Sequence, residues 1–516
     1  MPRAEHTVVR RWAAGDQQAA DAFASRDDHL VAERRLDESG SDDGAAVAAA
    51  SFDQVAGPFH RYRRTVRRLP DGAVEQVVAY SLRIPWFGWL VALPIRWALA
   101  RGPSQRATGP WWAPPDRLSE RQAQTLGLLA SASMTAAFAN TLFTQTAHLA
   151  ADDFGIGSTG QGIGGAVVRL GIVVALPFAL LADRIGRRRT LIVLAWCAPL
   201  LCALGALAPG FWVLVGSQAV ARPIGIALAT IAIVAAAEDM PRNSRAYALS
   251  ILAMASGLGA GVAVGALRLA DLGPGAWRWV YALALVWLPV ALVLYRRLHE
   301  TRRFETVHRI SPPMQRSRLA LVIAVAVSAN LFIAPASFFQ NRYLDTVRGY
   351  SAGGIALFTL ATGTPASLGL VLGGRLADIV GRRRLIATCT PISTACLVSS
   401  FWLSGAAMWA AAFAGGITAA MAYPAYAVYR TELFPTGNRG WANGLVTASA
   451  LLGGSVSIAT IGWLLDRDVS FGTVIAVVGI GQLVGAWLAW RWYPETAHLE
   501  LEQLNPGDPR IDPDDS

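Results

Sequence analysis

Three charged strings, each set in apolar sequence, occur twice in this chain at nearly one offset. Leu181-Ala182-Asp183-Arg184-Ile185-Gly186-Arg187-Arg188-Arg189 returns 195 residues on as Leu376-Ala377-Asp378-Ile379-Val380-Gly381-Arg382-Arg383-Arg384. Glu238-x-x-Pro241-x-x-x-Arg245 returns after 194 residues as Glu432-x-x-Pro435-x-x-x-Arg439, and Glu300-Thr301 after 195 as Glu495-Thr496. One order and one spacing of charged residues constrain the chain to two parallel structural repeats.

Only 16% of the 516 residues are charged and 53% are hydrophobic, against about 25% charged in a soluble chain. From Leu126 onward, apolar runs of about 20 residues follow one another, the length that crosses a ~30 Å hydrocarbon core. Twelve runs are expected, near 126–148, 161–182, 190–208, 211–236, 247–268, 277–296, 319–340, 353–374, 384–403, 406–429, 441–464 and 472–492. Six fall in each repeat, and they are numbered spans 1 to 12 below. The expected fold is an all-α polytopic membrane protein with a cytoplasmic N-terminal extension.

The net charge of +10 matters less than its placement. Eighteen arginines lie in the loops after the even-numbered spans. The odd-numbered loops hold only Arg268, Arg278, Arg342, Arg348 and Arg467. The positive-inside rule then places the even loops and both termini in the cytoplasm of a cell with the chain in its inner membrane. The same alternation argues against nucleic-acid binding. The four cysteines sit in spans 3 and 9 and suit packed thiols rather than a disulfide framework.

The domain reading is an extension over 1–120, a six-helix half over 121–300, a linker over 301–318, a second half over 319–495 and a tail over 496–516. Within the extension, residues 12–38 suit a solvated helix and Asp37–Ala50 a linker. Phe59–Leu69, the turn Pro70-Asp71-Gly72 and Ala73–Leu82 suit a β-hairpin. Ile84–Ala100, short and containing Pro94 and Arg96, suits a helix lying in the membrane interface.

The Asp-x-x-Gly-Arg-Arg-Arg strings resemble the loops between helices 2 and 3 and between helices 8 and 9 of the major facilitator superfamily. The endings Glu300-Thr301 and Pro494-Glu495-Thr496 resemble the strings closing each half of its sugar porters and metabolite:proton symporters. The resemblance implies that Asp183, Arg187, Glu238 and Arg245 form one latch on the cytoplasmic side, and that Asp378, Arg382, Glu432 and Arg439 form the other. It also implies a central cavity lined by spans 1, 4, 7 and 10.

Two ionisable residues lie well inside spans: Arg222 near mid-depth of span 4 and Arg169 in the outer half of span 2. A central arginine costs at least ~2.5–3.5 kcal/mol on insertion, so it must face the bundle interior or water. With no mid-membrane Asp or Glu beside them, the pair points to an anionic substrate; the alternative is glue between helices. Asn140, Thr144 and Gln145 on span 1, Asn330 on span 7 and Tyr423 and Tyr426 on span 10 join them as candidate substrate contacts. His148, Asp152 and Asp153 are candidates for ion coupling.

No nucleophile–base–acid set, metal cluster or phosphate-cradling Gly-Lys loop is present in the sequence. The expected activity is therefore secondary transport rather than catalysis. An ion gradient, of protons by the family pattern, would drive uptake of a small organic anion by a monomer in lipid. Drug or metabolite efflux is the alternative, and a non-transporting membrane sensor or scaffold a further one.

Overall fold

A computed structural model describes residues 6–36, 49–82, 84–100, 113–114, 116–171, 178, 185–241, 244–300, 315–434 and 439–496. Within these, the side chains of Glu238, Arg245, Asp378, Glu432 and Arg439 fall outside the description.

The extension builds a five-stranded antiparallel sheet in the order β1-β5-β4-β3-β2. Its strands are β1 (His6–Trp12), β2 (Ala32–Leu36), β3 (Ala49–Ala56), β4 (Phe59–Arg68) and β5 (Val74–Leu82). The β4–β5 hairpin closes over Gly72, whose φ of 79° favours glycine, while Ala73 N–H donates to Asp71 Oδ1 at 3.0 Å.

The solvated helix expected over 12–38 does not form over the described residues 12–36. Only α1 (Gln17–Asp21) is helical there, and β2 occupies the C-terminal part. Three of the charges that suggested solvation, on Arg26, Asp28 and Glu33, are in fact enclosed. Glu33 of β2 takes Arg64 Nε at 2.9 Å, Arg64 Nη2 at 2.6 Å and Tyr62 OH at 2.5 Å, with the Arg64 and Glu33 side chains fully enclosed. Arg26 bonds Asp28 at 2.9 Å and donates to the Ala98 and Leu99 carbonyls, the unpaired last turn of α2 (Gly88–Ala100).

At 13 residues α2 is ~20 Å long, too short to cross a bilayer. Its Ile95, Ala98 and Leu99 pack on the sheet, while Leu93 and Trp97 are 74% and 58% exposed. Ile84 and Pro85, just before it, lie against Gly127 of span 1.

Ten helices among the described residues are long and apolar enough to cross a membrane. Arg382–Ser400 supplies span 9, and Ser158–Leu170 the described part of span 2. The remaining spans are Glu120–Asp153, Arg187–Leu207, Phe211–Asp239, Tyr247–Leu272, Trp277–Arg297, Arg316–Thr346, Ala352–Val380 (two helices breaking at Thr364 and Pro365), Gly405–Glu432, Arg439–Leu465 and Phe471–Trp492. Together they make the twelve-helix, two-repeat architecture. Span 1 starts on a capping box, with Gln122 N–H donating to Ser119 Oγ and Ser119 N–H to Gln122 Oε1.

The buried side chains separate into three clusters within the membrane part. One lies wholly in the first half, near the end that carries the arginine-rich loops, and one wholly in the second. The third draws on both halves: Leu142, Phe143, Ala150 and Tyr281 from the first join Phe338, Tyr343, Phe358 and Ile461 from the second. That shared core sits toward the opposite face. The halves are thus joined at that face, around the Phe143–Phe338 ring contact at 6.3 Å.

Candidate functional site

On the arginine-rich face, each repeated glycine turns the chain into the next span. Gly186 and Gly381 have φ of 104° and 101°, a region costly for any residue with a Cβ. A carboxylate fills the space beside each: a Cβ at Gly186 would lie 2.5 Å from Glu300 Oε2, and one at Gly381 2.8 Å from Glu495 Oε2. Arg188 N–H donates to Glu300 Oε1 at 3.0 Å. Arg382 and Arg383 N–H donate to Glu495 at 3.0 and 3.2 Å.

These carboxylates sit on the unpaired N–H groups of spans 3 and 9, where the helix dipole favours an anion. Each Glu therefore closes its own half, tying the end of its sixth helix to the start of its third. Arg188 reinforces the first tie through the Leu298 and Tyr295 carbonyls, and Arg382 the second through Thr496 Oγ1 at 2.7 Å. The Glu300/Glu495 repetition was visible in the sequence; its partners were not.

At mid-depth, Arg169 Nη2 donates to Asn330 Oδ1 at 3.2 Å, joining span 2 to span 7 across the halves. Arg169 Nε is buried and has no partner among the described residues. Arg222 makes no hydrogen bond or ion pair with a described residue, and Arg169 is near enough to act on it as a like charge. Asn140 Oδ1 is buried, without a partner among the described residues, beside Gly225 of span 4, where a Cβ would approach it to 2.8 Å. These groups converge on the seam between the halves.

Nearer the opposite face, Asn341 Nδ2 donates to Gln145 Oε1 at 2.8 Å and to the Gln145 carbonyl at 3.0 Å. Arg342 reaches Gln161 Oε1 at 2.8 Å and Asp152 at 3.4 Å. His148 is buried beside them. Asp153 instead bonds Arg278 at 3.0 Å and Trp277 Nε1 at 3.1 Å within its own half, which makes it a brace for span 6.

The family profile of the Major Facilitator Superfamily matches residues 128–362 and 320–509. The chain belongs to the major facilitator superfamily. No curated protein matches it. Among solved structures, the inward-open xylose transporter XylE from E. coli superposes with a TM-score of 0.59 at 17% identity, covering 74% of this chain and 97% of that one. A bacterial homolog of the human lysosomal transporter Spinster, inward-facing and unoccupied, gives a TM-score of 0.57 at 16% identity, over 72% and 96%. At such identities the likeness shows the fold. The extension precedes the superfamily match.

Within this superfamily frame the expected site residues divide. Arg169, Arg222, Asn330 and Asn140 gather at mid-depth, and Gln145, His148 and Asp152 line the half-to-half contact above them. Thr144 lies half-buried on the same helix as Asn140. Tyr426 turns away: its hydroxyl is 3.2 Å from Thr390 Oγ1 of span 9, inside the core of the second half. Tyr423 is 64% exposed.

Of the two expected latches, Asp183 lies outside the described residues, as do the side chains of Glu238, Arg245, Asp378, Glu432 and Arg439. Arg187 borders a cleft on the arginine-rich face with Arg121, Arg188, Asp239 and His299. Sequence reasoning missed Gln161, Arg342, Asp271 and Asp466 as contacts between the halves. The last two could have been found, since they too stand 195 residues apart.

Proposed function

We propose that this membrane-embedded secondary transporter carries a small organic anion by alternating access between its two halves. The observation behind this reading is Arg222, a cation inside the bundle that has no ion-pair partner among the described residues and a second arginine near it. A permanently charged group at that depth is costly unless water or a ligand neutralises it. A carboxylate or similar anion supplies the bidentate partner that a guanidinium fits best. The Asn330 and Asn140 amides add neutral hydrogen bonds for the rest of the solute.

The similar structures include a proton:xylose symporter, and we take protons to be the coupling ion. Asp152, held against Arg342 between spans 1 and 7, is the carboxylate through which a proton would loosen that contact. With the arginine-rich loops in the cytoplasm, as their charge favours, the contacts between the halves described here close the outer face.

Uptake into proteoliposomes of organic anions, sugars and lipophilic cations, with and without an inward proton gradient, tests the reading. Anion uptake that is lost in Arg222→Ala and weakened in Asn330→Ala is the expected result. Uptake of sugars or extrusion of cations, unchanged in Arg222→Ala, would overturn it and leave Arg222 as packing.

A further inference from the structure

On the face opposite the arginine-rich loops, two aspartates reach from one half onto the helix starts of the other. Asp466, just past span 11, accepts N–H groups of Ser158 and Thr159, both at 2.7 Å, at the start of span 2. Asp271, at the end of span 5, accepts N–H groups of Ala352 and Gly353 at 2.9 and 2.7 Å, at the start of span 8. The aspartates are 195 residues apart and their targets 194, so the contact is made once per repeat.

We propose that Asp271 and Asp466 form a two-part lock that holds the halves shut on this face and sets which side of the membrane the site sees. The first N–H groups of a helix have no partner within it and carry the positive end of its dipole. In spans 2 and 8 the carboxylate that satisfies them belongs to the opposing half. When the halves part, both the N–H groups and the carboxylates return to water. The bonds therefore favour the sealed state alone.

The backbone is shaped for this approach. A Cβ at Gly353 would stand 2.7 Å from Asp271 Oδ2, and one at Gly157 3.0 Å from Asp466 Oδ2. Arg467, next in the chain, lies over the Trp463 ring at 3.5 Å, and Asp466 is held by the backbone N–H and side-chain groups of Ser158 and Thr159. Burial works to raise the Asp466 carboxyl, but hydrogen bonds from Thr159 and Ser158 outweigh it and hold it below the usual carboxylate range. Both aspartates are positioning residues: they touch no substrate and act by fixing the orientation of the two halves. The lock rests on the alternating-access reading but on no particular substrate.

The test is thiol accessibility in the membrane. Cys197, Cys202, Cys389 and Cys396 are changed to Ala and Asn330→Cys is introduced as a reporter beneath the seal. A membrane-impermeant thiol reagent is applied to intact cells, with Ser470→Cys as the exposed control on the same face. Asp271→Ala and Asp466→Ala should each raise the reporter's labelling rate by roughly tenfold, the loss of one charged cap. The double variant should show about the product of the two.

Asp→Asn variants keep a capping oxygen without the charge and should fall between, which carries the test if an alanine variant fails to reach the membrane. Parent-like labelling in the double variant, or in both Asn variants, with Ser470→Cys still labelled would overturn the lock. Anion uptake is measured separately in protein that keeps Asn330; its failure there, alongside raised labelling in the reporter background, would sink the substrate reading and leave the lock standing.

Discussion

A methyl group added at Gly462 would fall 2.4 Å from the Ser158 carbonyl oxygen and 3.2 Å from the Gly162 Cα. Both are backbone atoms and cannot rotate away. Ordinary Cβ contacts begin at 3.4 Å, so Gly462→Ala must push spans 2 and 11 apart by about 1 Å where they cross. One turn further along, Asp466 holds the Ser158 and Thr159 N–H groups at 2.7 Å. Hydrogen bonds fade beyond ~3.2 Å, so the same displacement breaks both.

Overpacking costs ~1–3 kcal/mol, and the lost cap adds ~0.5–2 kcal/mol. The sealed state alone bears this cost, because opening separates the two helices. Even ~2 kcal/mol shifts the ratio of open to sealed molecules about 30-fold. Labelling of Asn330→Cys from the face opposite the arginine-rich loops should rise accordingly. Adding Asp466→Ala should raise it little further, since both changes strike one contact.

Gly257→Ala serves as control. Nothing lies within 4 Å of its new methyl, and a helix-interior alanine is favoured over glycine by ~0.5–1 kcal/mol. Parent-like labelling in a well-expressed Gly462→Ala protein, or equal effects at both glycines, would refute the argument that backbone contact at this crossing sets the seal.

Two further predictions concern the extension. Arg64→Ala leaves Glu33 charged and enclosed, which costs ~3–5 kcal/mol; limited proteolysis of the full chain should then cut between residues 6 and 82 while the helical part resists. Burial pushes the His29 imidazole below its usual value, Asp28 pulls it up, and Arg26 and Arg117 push it down again. A depressed histidine pKa gives stability that is present above the unfolded value of ~6.5 and is lost as pH falls below it. Proteolytic resistance of the extension should therefore decline from pH 7 toward pH 5, and His29→Gln should flatten that decline.

The sequence made some of this legible and hid the rest for identifiable reasons. The repeats could be read because charges are costly in apolar sequence, so Asp183, Gly186 and their partners stand out. Arg169 and Arg222 could be read for the same reason. Tyr426 was expected among the substrate contacts because span 10 lines the family's cavity, which does not say which neighbour its hydroxyl meets; it lies 3.2 Å from Thr390 Oγ1. Residues 12–38 were misread because a charge-rich segment resembles a solvated helix, whereas Arg26 and Glu33 are enclosed by partners as far away in sequence as Ala98 and Arg64. Asp271 and Asp466 escaped notice because acids at span ends are common; only their shared offset sets them apart.

One chemical device serves opposite ends of this architecture in opposite ways. Glu300 and Glu495 place a carboxylate on a helix start within their own half, where the tie must persist while the halves move as units. Asp271 and Asp466 place one on a helix start in the other half, where the tie must be made and broken. A charge-assisted bond to backbone N–H suits both uses. It is strong when the helix end is held against it, and it is readily replaced by water when the end withdraws. Whether the bond acts as brace or lock is decided by which half supplies the helix, and the internal repeat duplicates each arrangement once. The seal thereby gains two equivalent points of attachment, at spans 2 and 11 and at spans 5 and 8, besides the Arg169–Asn330 hydrogen bond between the halves.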